Sequence, residues 1–250
     1  FSFVELDHQM SEAEKRGVKV ILGVGRRLPG WPECHDPSWV KDLGQKEKQE
    51  KILDYIETVV ERYKYSPVLR FWQVENEPFL RFAYEYCGST DEDFLSREIA
   101  LVKKLDPKHP VLITDSGEMG LWYKARKYGD VFGTSVYLYI WHDVLGPLKY
   151  PISPGFFRLK QNLTDFARGD KETLLIELAT EPWLNKPIVE APIELQLDRM
   201  GIDKFKEVIE FNRHTGFSEQ YFWGAEWWYY MKKKNNHPEF WDTAKNLFFR

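Results

Sequence analysis

The chain has only two cysteines, Cys34 and Cys87, among its 250 residues. So few exclude a small scaffold held by disulfides, and no His/Cys spacing of the metal-ligating kind is present. No apolar run approaches the ~20 residues of a membrane span. Basic residues are not in excess: 35 Lys and Arg stand against 39 Asp and Glu, for a net charge of -4. With a pI near 5.9, that balance argues against a nucleic-acid partner, which normally meets a basic stripe. The Lys232–Lys234 run reads as a solvated loop. No Pro/Gly/Ser-rich linker divides the chain, and nothing repeats beyond strand–helix alternation. A glycine-rich phosphate loop is missing too, because G-V-G-R-R-L-P-G (23–30) lacks the helix-opening G-x-G-x-x-G pattern. No cofactor is implied. The chain opens on Phe1 without a signal-peptide pattern, so its compartment is left open.

Aromatic residues are plentiful at 16%, and 30% of residues are charged, with a mean hydropathy of -0.52. Read in order, Phe3, Leu6, Met10 and Ala13 make a first helix over 3–16, closed by Gly17. A strand follows at 18–25, then the loop R-R-L-P-G-W-P-E-C-H. Ile52, Leu53, Ile56, Val59, Val60 and Tyr63 give residues 45–65 a continuous apolar stripe, the clearest helix of the chain. Next come a strand at 68–77 and a helix to about Leu105, capped by Ser89 with Glu92 or Thr90 with Asp93. A strand at 110–117 and a short helix near 119–128 follow. The remaining pattern is a strand at 131–140, a helix at 154–168, a strand at 173–177, a helix at about 197–214, a strand at 220–228 and a helix at 238–249. Six strands, each followed by a helix, predict a parallel sheet with right-handed crossovers.

Two of these strands end on carboxylates. V-L-R-F-W-Q-V-E-N-E-P-F (68–79) is an apolar run that delivers Glu75, Asn76 and Glu77 before Pro78 stops it. Those three polar groups cannot leave water cheaply without partners. T-L-L-I-E-L-A-T-E-P-W (173–183) ends on Glu177, with Glu181 just beyond. Polar residues at the C-terminal ends of several parallel strands favour a barrel over an open sheet. Two glutamates across one sugar ring are what retaining glycoside hydrolysis requires.

W-Q-V-E-N-E-P resembles the Asn-Glu-Pro motif of the clan A retaining glycoside hydrolases. In that clan the motif ends strand four of a (β/α)8 TIM barrel, and the nucleophile glutamate ends strand seven. Two strands separate the two glutamate strands here, which fits. F-S-F-V-E-L-D, ahead of G-V-K-V-I-L-G-V-G and P-G-W-P, is similar to the approach to strand three in the cellulase-like and β-galactosidase-like families. The resemblance implies a single partial barrel domain over residues 1–250, built of strands three to eight. Strands one and two would be absent, with the basic residue they often supply, so the natural protein is expected to be longer. An open six-stranded barrel leaves two exposed edges.

The resemblance implies an O-glycosyl hydrolase acting on a carbohydrate, with Glu77 as acid/base and Glu177 as nucleophile, their carboxyls about 5–5.5 Å apart. The acid must be protonated when it meets the leaving oxygen, so its pKa should be raised. Asn76 corresponds to the residue that bonds the sugar 2-OH, or is a turn-forming Asn. Glu181 competes with Glu177, but alternation and strand position favour Glu177. Tyr137, sharing a strand face with Tyr139, corresponds to the tyrosine that bonds the nucleophile; a core tyrosine is the alternative. Trp223 corresponds to the tryptophan that floors the sugar site, with Trp227 nearby and Trp31 as a second platform; core packing is the alternative for these rings. Arg26, Arg27 and His35 are rim candidates, and Asp115 and Glu118 read as helix-capping groups. Cys34 and Cys87 follow neighbouring strands on one rim, so a disulfide and two free thiols both remain open. A sugar-binding barrel without catalysis and an unrelated α/β enzyme on an open sheet are the other readings.

Overall fold

The computed structural model describes residues 1–30, 33–142 and 144–248. They form two compact units: Phe1–Gly133 with Arg168–Thr173, and Thr134–Ala167 with Leu174–Arg250.

In the first unit, α1 (Val4–Lys15) precedes β1 (Val20–Val24), α2 (Gln45–Tyr63) and β2 (Leu69–Val74). The expected stripe on α2 is buried at Ile56, Val59, Val60 and Tyr63. Glu47 reaches back to the Gly44 N–H at 3.1 Å and so closes the first turn. A short helix, α3 (Tyr84–Cys87), which the sequence does not announce, sits ahead of α4 (Glu92–Leu105). Asp91, not Ser89 or Thr90, caps α4 by accepting the Phe94 N–H at 3.0 Å. The Thr90 hydroxyl is turned instead to the Pro78 carbonyl. β3 (Val111–Asp115) follows. The helix expected near 119–128 shrinks to a 3-10 turn at Ala125–Lys127. Residues there answer to Asp115, which accepts the N–H groups of Ser116 and Trp122, both at 3.0 Å.

β1 pairs in parallel with β2, and β2 with β3. The order continues into β4 (Val131–Val136), whose first residues close this unit. β2 and β3 are buried almost throughout, as strands covered on both faces should be.

In the second unit the order runs from the rest of β4 through β7 (Thr173–Ala179) to β8 (Gln220–Trp223), and β7 and β8 are parallel. A hairpin breaks the strand expected at 131–140: β5 (Tyr139–His142) pairs antiparallel with β6 (Gly146–Lys149). Tyr137 and Tyr139 therefore do not share one strand. α5 (Pro154–Arg168) lies before β7. The helix expected at 197–214 is two, α6 (Ile193–Arg199) and α7 (Ile202–Arg213), separated at Gly201. β8 stops at Trp223 because Gly224 turns the backbone left-handed at φ 117. Residues 225–228 then open α8 (Ala225–Lys234) instead of prolonging a strand. The Lys232–Lys234 run forms the last turn of α8, where cations suit the helix dipole, and is not a loop. α9 (Glu239–Phe248) ends the described chain. Parallel strands alternating with helices make this an α/β fold with a six-stranded parallel sheet, consistent with part of a TIM barrel. Among the described residues, no helix is long and apolar enough to cross a membrane.

Candidate active site

In the first unit the site grows from the end of β2. Beyond Val74 the chain leaves extended geometry, and Glu75 and Glu77 take left-handed backbones at φ 58 and φ 40. Non-glycine residues adopt this region at a cost of about 1–3 kcal/mol each. Glu75, Asn76 and Glu77 are 7%, 2% and 6% exposed, so the partners demanded by burial must exist. The Glu77 N–H donates to the Thr114 hydroxyl of β3 at 2.8 Å. The Asn76 amide oxygen accepts from Gln73 at 2.8 Å and from Thr114 at 3.3 Å. These bonds fix which way the Asn76 amide faces. The Asn76 N–H in turn donates to the Arg27 carbonyl at 2.9 Å.

Arg26 and Arg27 brace the turn and do not stand free on the rim. Arg26 makes a two-pronged ion pair with Asp36, at 2.9 and 2.8 Å, and donates to the Cys87 carbonyl at 2.7 Å. Arg27, buried, donates to the Gly88 carbonyl at 2.7 Å and, at 3.4 Å, to that of Glu77. The two loops that the arginines join are also joined covalently, because Cys34 and Cys87 form a disulfide with Cα atoms 5.6 Å apart. His35 is exposed, with its Nε2 3.0 Å from the Gly30 carbonyl oxygen.

The second unit supplies the other carboxylates. Glu177 is 6% exposed and lies inside β7, which runs two residues further than its sequence pattern suggests. The Tyr137 hydroxyl donates to Glu177 Oε2 at 2.7 Å. The Trp183 ring packs edge-on against Tyr137, with centroids 5.0 Å apart. Glu181 occupies a different position: the Trp223 indole N–H donates to its Oε1 at 2.9 Å. Burial pushes the Glu181 carboxyl up, and the charge of Glu226 adds to this; the Trp223 bond opposes them. A side chain at Gly224 would meet Glu181 Cβ at 2.9 Å, so the close approach of these loops needs glycine.

Among the tryptophans, Trp223 is half-buried at the end of β8. Trp227 is buried, with its N–H on the Gln196 side chain at 2.8 Å and its ring 4.7 Å from that of Phe240. Trp228 donates to the Thr180 carbonyl at 3.0 Å and is buried as well. Trp31 lies outside the described residues. Tyr139 bonds Glu207 and is remote in role from Tyr137. Among the described residues, no group of three or more His, Cys, Asp or Glu is arranged to hold a metal ion.

Thus each unit gathers its own set: Asn76 and Glu77 with Thr114 and Arg27 in the first, Tyr137 with Glu177 and Trp223 with Glu181 in the second. Sequence reasoning missed Thr114, Gln196 and Trp183. Thr114 had a usable signal, a polar residue next to the end of an otherwise apolar strand; the other two had none.

No family model matches the chain. In sequence it is 33% identical, over 129 residues, to a protein of Aspergillus flavus named probable mannan endo-1,4-beta-mannosidase F; the match takes in 46% of this chain and 26% of that protein. It is 29% identical over 120 residues to the mannan endo-1,4-beta-mannosidase F of Aspergillus fumigatus, covering 45% of this chain and 26% of the relative. The chain therefore spans about a quarter of the length of these curated relatives. In fold it is similar to a beta-galactosidase of Halorubrum lacusprofundi, with a TM-score of 0.59 and 13% identity over 89% of this chain and 45% of that one. It is similar also to a Thermobacillus composti GH10 xylanase, with a TM-score of 0.57 and 15% identity over 89% and 69% of the two chains. The names of the sequence relatives and the shared fold are consistent with a clan A glycoside hydrolase fragment, as the motif on β2 implies.

Proposed function

We propose that this chain carries the catalytic carboxylates of a retaining β-glycoside hydrolase, as strands three to eight of its barrel. Glu177 is the nucleophile and Glu77 the acid/base. The Glu177 carboxylate attacks the anomeric carbon as the glycosidic C–O bond breaks, and Glu77 gives its proton to the departing oxygen. Glu77 then takes a proton from water, whose oxygen displaces Glu177 from the sugar. Asn76 bonds the 2-OH, where a hydrogen bond gains strength in the transition state. Trp223 offers its ring to a sugar face, and Trp31 a second platform; Glu181 contacts substrate. Trp227, buried against Gln196 and Phe240, serves packing in this reading. The names of the sequence relatives make a β-1,4-linked mannan backbone the substrate class to test first.

The observation that carries the reading is the Tyr137 hydroxyl on Glu177 Oε2. A phenol donating to a strand carboxylate fixes its orientation, as a nucleophile needs. Glu181, held by an indole and pushed toward its neutral form, suits attack less well.

The test is covalent labelling of the full-length protein with a slow fluorinated glycosyl fluoride, followed by peptide mapping. Label on Glu177, absent from Glu177→Gln and retained in Glu181→Gln, is expected. Label on Glu181 moves the nucleophile. Sugar binding without any label or turnover leaves a binding barrel.

A further inference from the structure

Glu75 and Glu98 have no part in the chemistry above, yet both are buried, 7% and 1% exposed. Glu98 stands on the inner face of α4, in the row Phe94, Leu95, Glu98, Ile99, Val102. Glu75 turns its carboxylate under the end of β1. Oε1 accepts the Arg26 N–H at 2.5 Å and Oε2 the Arg27 N–H at 2.8 Å. The backbone answers in the other direction, the Glu75 N–H donating to the Val24 carbonyl at 2.9 Å. Gly25 makes room: a Cβ there would lie 2.3 Å from Glu75 Oε1.

The two carboxyls line one cavity and lie near enough that a hydrogen bond between them bears on the proton affinity of each. Two carboxylates cannot share such a bond unless one holds a proton. Glu75 already accepts two backbone N–H groups, and no donor reaches Glu98 Oε1 among the described residues. The proton therefore sits on Glu98. Burial pushes both groups up, and for Glu98 the Glu75 charge pushes further, well above the usual range.

We propose that Glu98, protonated, is a positioning residue that clamps Glu75 and thereby the strained turn presenting Glu77. This inference rests on the reading of Glu77 as acid/base. A cavity of about 300 Å³, lined by Lys48, Gln49, Asp91 and both glutamates, reaches the pair and gives its proton a route to solvent. The charged groups that face the pair are Arg26 and Arg27 after β1, Lys48 on α2, Asp91 at the cap of α4 and Arg97 on α4. Arg26 is already engaged by Asp36. When pH rises through the pair's titration, Glu98 loses its proton and two buried charges repel. The bond that seats Glu75 breaks, and the turn loosens. The folded pair holds a proton that the unfolded chain releases at ordinary carboxylate pH, so raising pH works against the fold.

The test uses the full-length protein. Glu98→Gln supplies a donor that cannot titrate, so the alkaline limb of kcat is expected to move up by about one unit or more. Glu98→Leu supplies none, and kcat is expected to fall about tenfold with KM changed less than about twofold. An alkaline limb unchanged in Glu98→Gln overturns the proposal. A separate readout needs no catalysis: the infrared band of a protonated carboxyl that is present in the unaltered protein at neutral pH and missing from Glu98→Gln is lost as pH rises. Absence of that band at neutral pH overturns the shared proton whatever the enzyme does. Its presence in a protein that neither turns over nor labels faults the glycosidase reading instead.

Discussion

Removing the Cys34–Cys87 bridge tests the first unit where its loops converge. The cysteines are 53 residues apart, and the closed loop contains α2 and β2. For a loop of that length the chain-entropy relation gives about 14 cal/mol/K, or about 4 kcal/mol at 25 °C, taken from the unfolded state. The bridge also steadies local contacts. Arg26 donates to the Cys87 carbonyl and Arg27 to that of Gly88, so a freed Cys87 loop would loosen both arginines. The double variant Cys34→Ser/Cys87→Ser is compared with the unaltered chain by urea unfolding, with and without reductant. With a urea slope of about 1–3 kcal/mol/M, a loss near 4 kcal/mol lowers the midpoint by more than about 1 M. Reductant should bring the unaltered protein to the same midpoint and leave the double variant where it is. A shift under about 0.3 M, or an unaltered protein indifferent to reductant, refutes the loop-closure argument.

Tyr137→Phe deletes the donor on Glu177 and should lower kcat by roughly 10- to 150-fold, the equivalent of about 1.5–3 kcal/mol for a bond to a charged group; the rate of covalent labelling measures it. Burial pushes the Asp106 carboxyl up, but bonds from Trp72, His109 and the Lys108 N–H outweigh it and hold the group below the usual range. Its stabilisation is thus present above the ordinary carboxylate pKa and is lost as pH falls through the depressed value. Asp106→Asn should flatten the acid limb of a stability–pH curve, and a limb as steep as before would count against the assignment. Glu77→Gly removes a strained carboxylate, so a denaturation midpoint at or above the original should accompany complete loss of turnover. A large drop in midpoint would show that the Glu77 side chain chiefly holds the fold.

Much of this was legible from periodicity. The stripe of α2 and the apolar runs of β2 and β7 announced both their elements and the glutamates they deliver. What stayed hidden was governed by contacts between distant residues. The run 131–140 is apolar and β-branched enough to read as one strand. It breaks after Val136 where Tyr137 turns to Glu177, and a bond forty residues long leaves no local signal. Residues 220–228 read as strand because their rings look alike, and only the backbone at Gly224 decides where β8 stops. Helix 197–214 split at Gly201, a residue that propensity alone penalises without forbidding. Glu98 had a signal that periodicity reasoning passed over: a carboxyl inside an apolar helical row is costly unless something across the interface needs it.

That cost bears on why the end of β2 is built as it is. Glu75 and Glu77 lie two positions apart, and both carry positive φ, which together forgoes roughly 2–6 kcal/mol. Glycine at either position would avoid the strain, and asparagine would reduce it. Glu75 recovers part of the loss through its carboxylate, which seats two backbone N–H groups of the neighbouring strand end. Glu77 recovers some through its backbone, on Thr114 and Arg27, but those bonds would serve glycine as well. A turn kept for shape alone would keep these backbone bonds with glycine at 77. The proposed acid/base role is a reason for a carboxyl there, and the bracing from β1, β3 and the Cys87 loop keeps it in an orientation its own backbone resists.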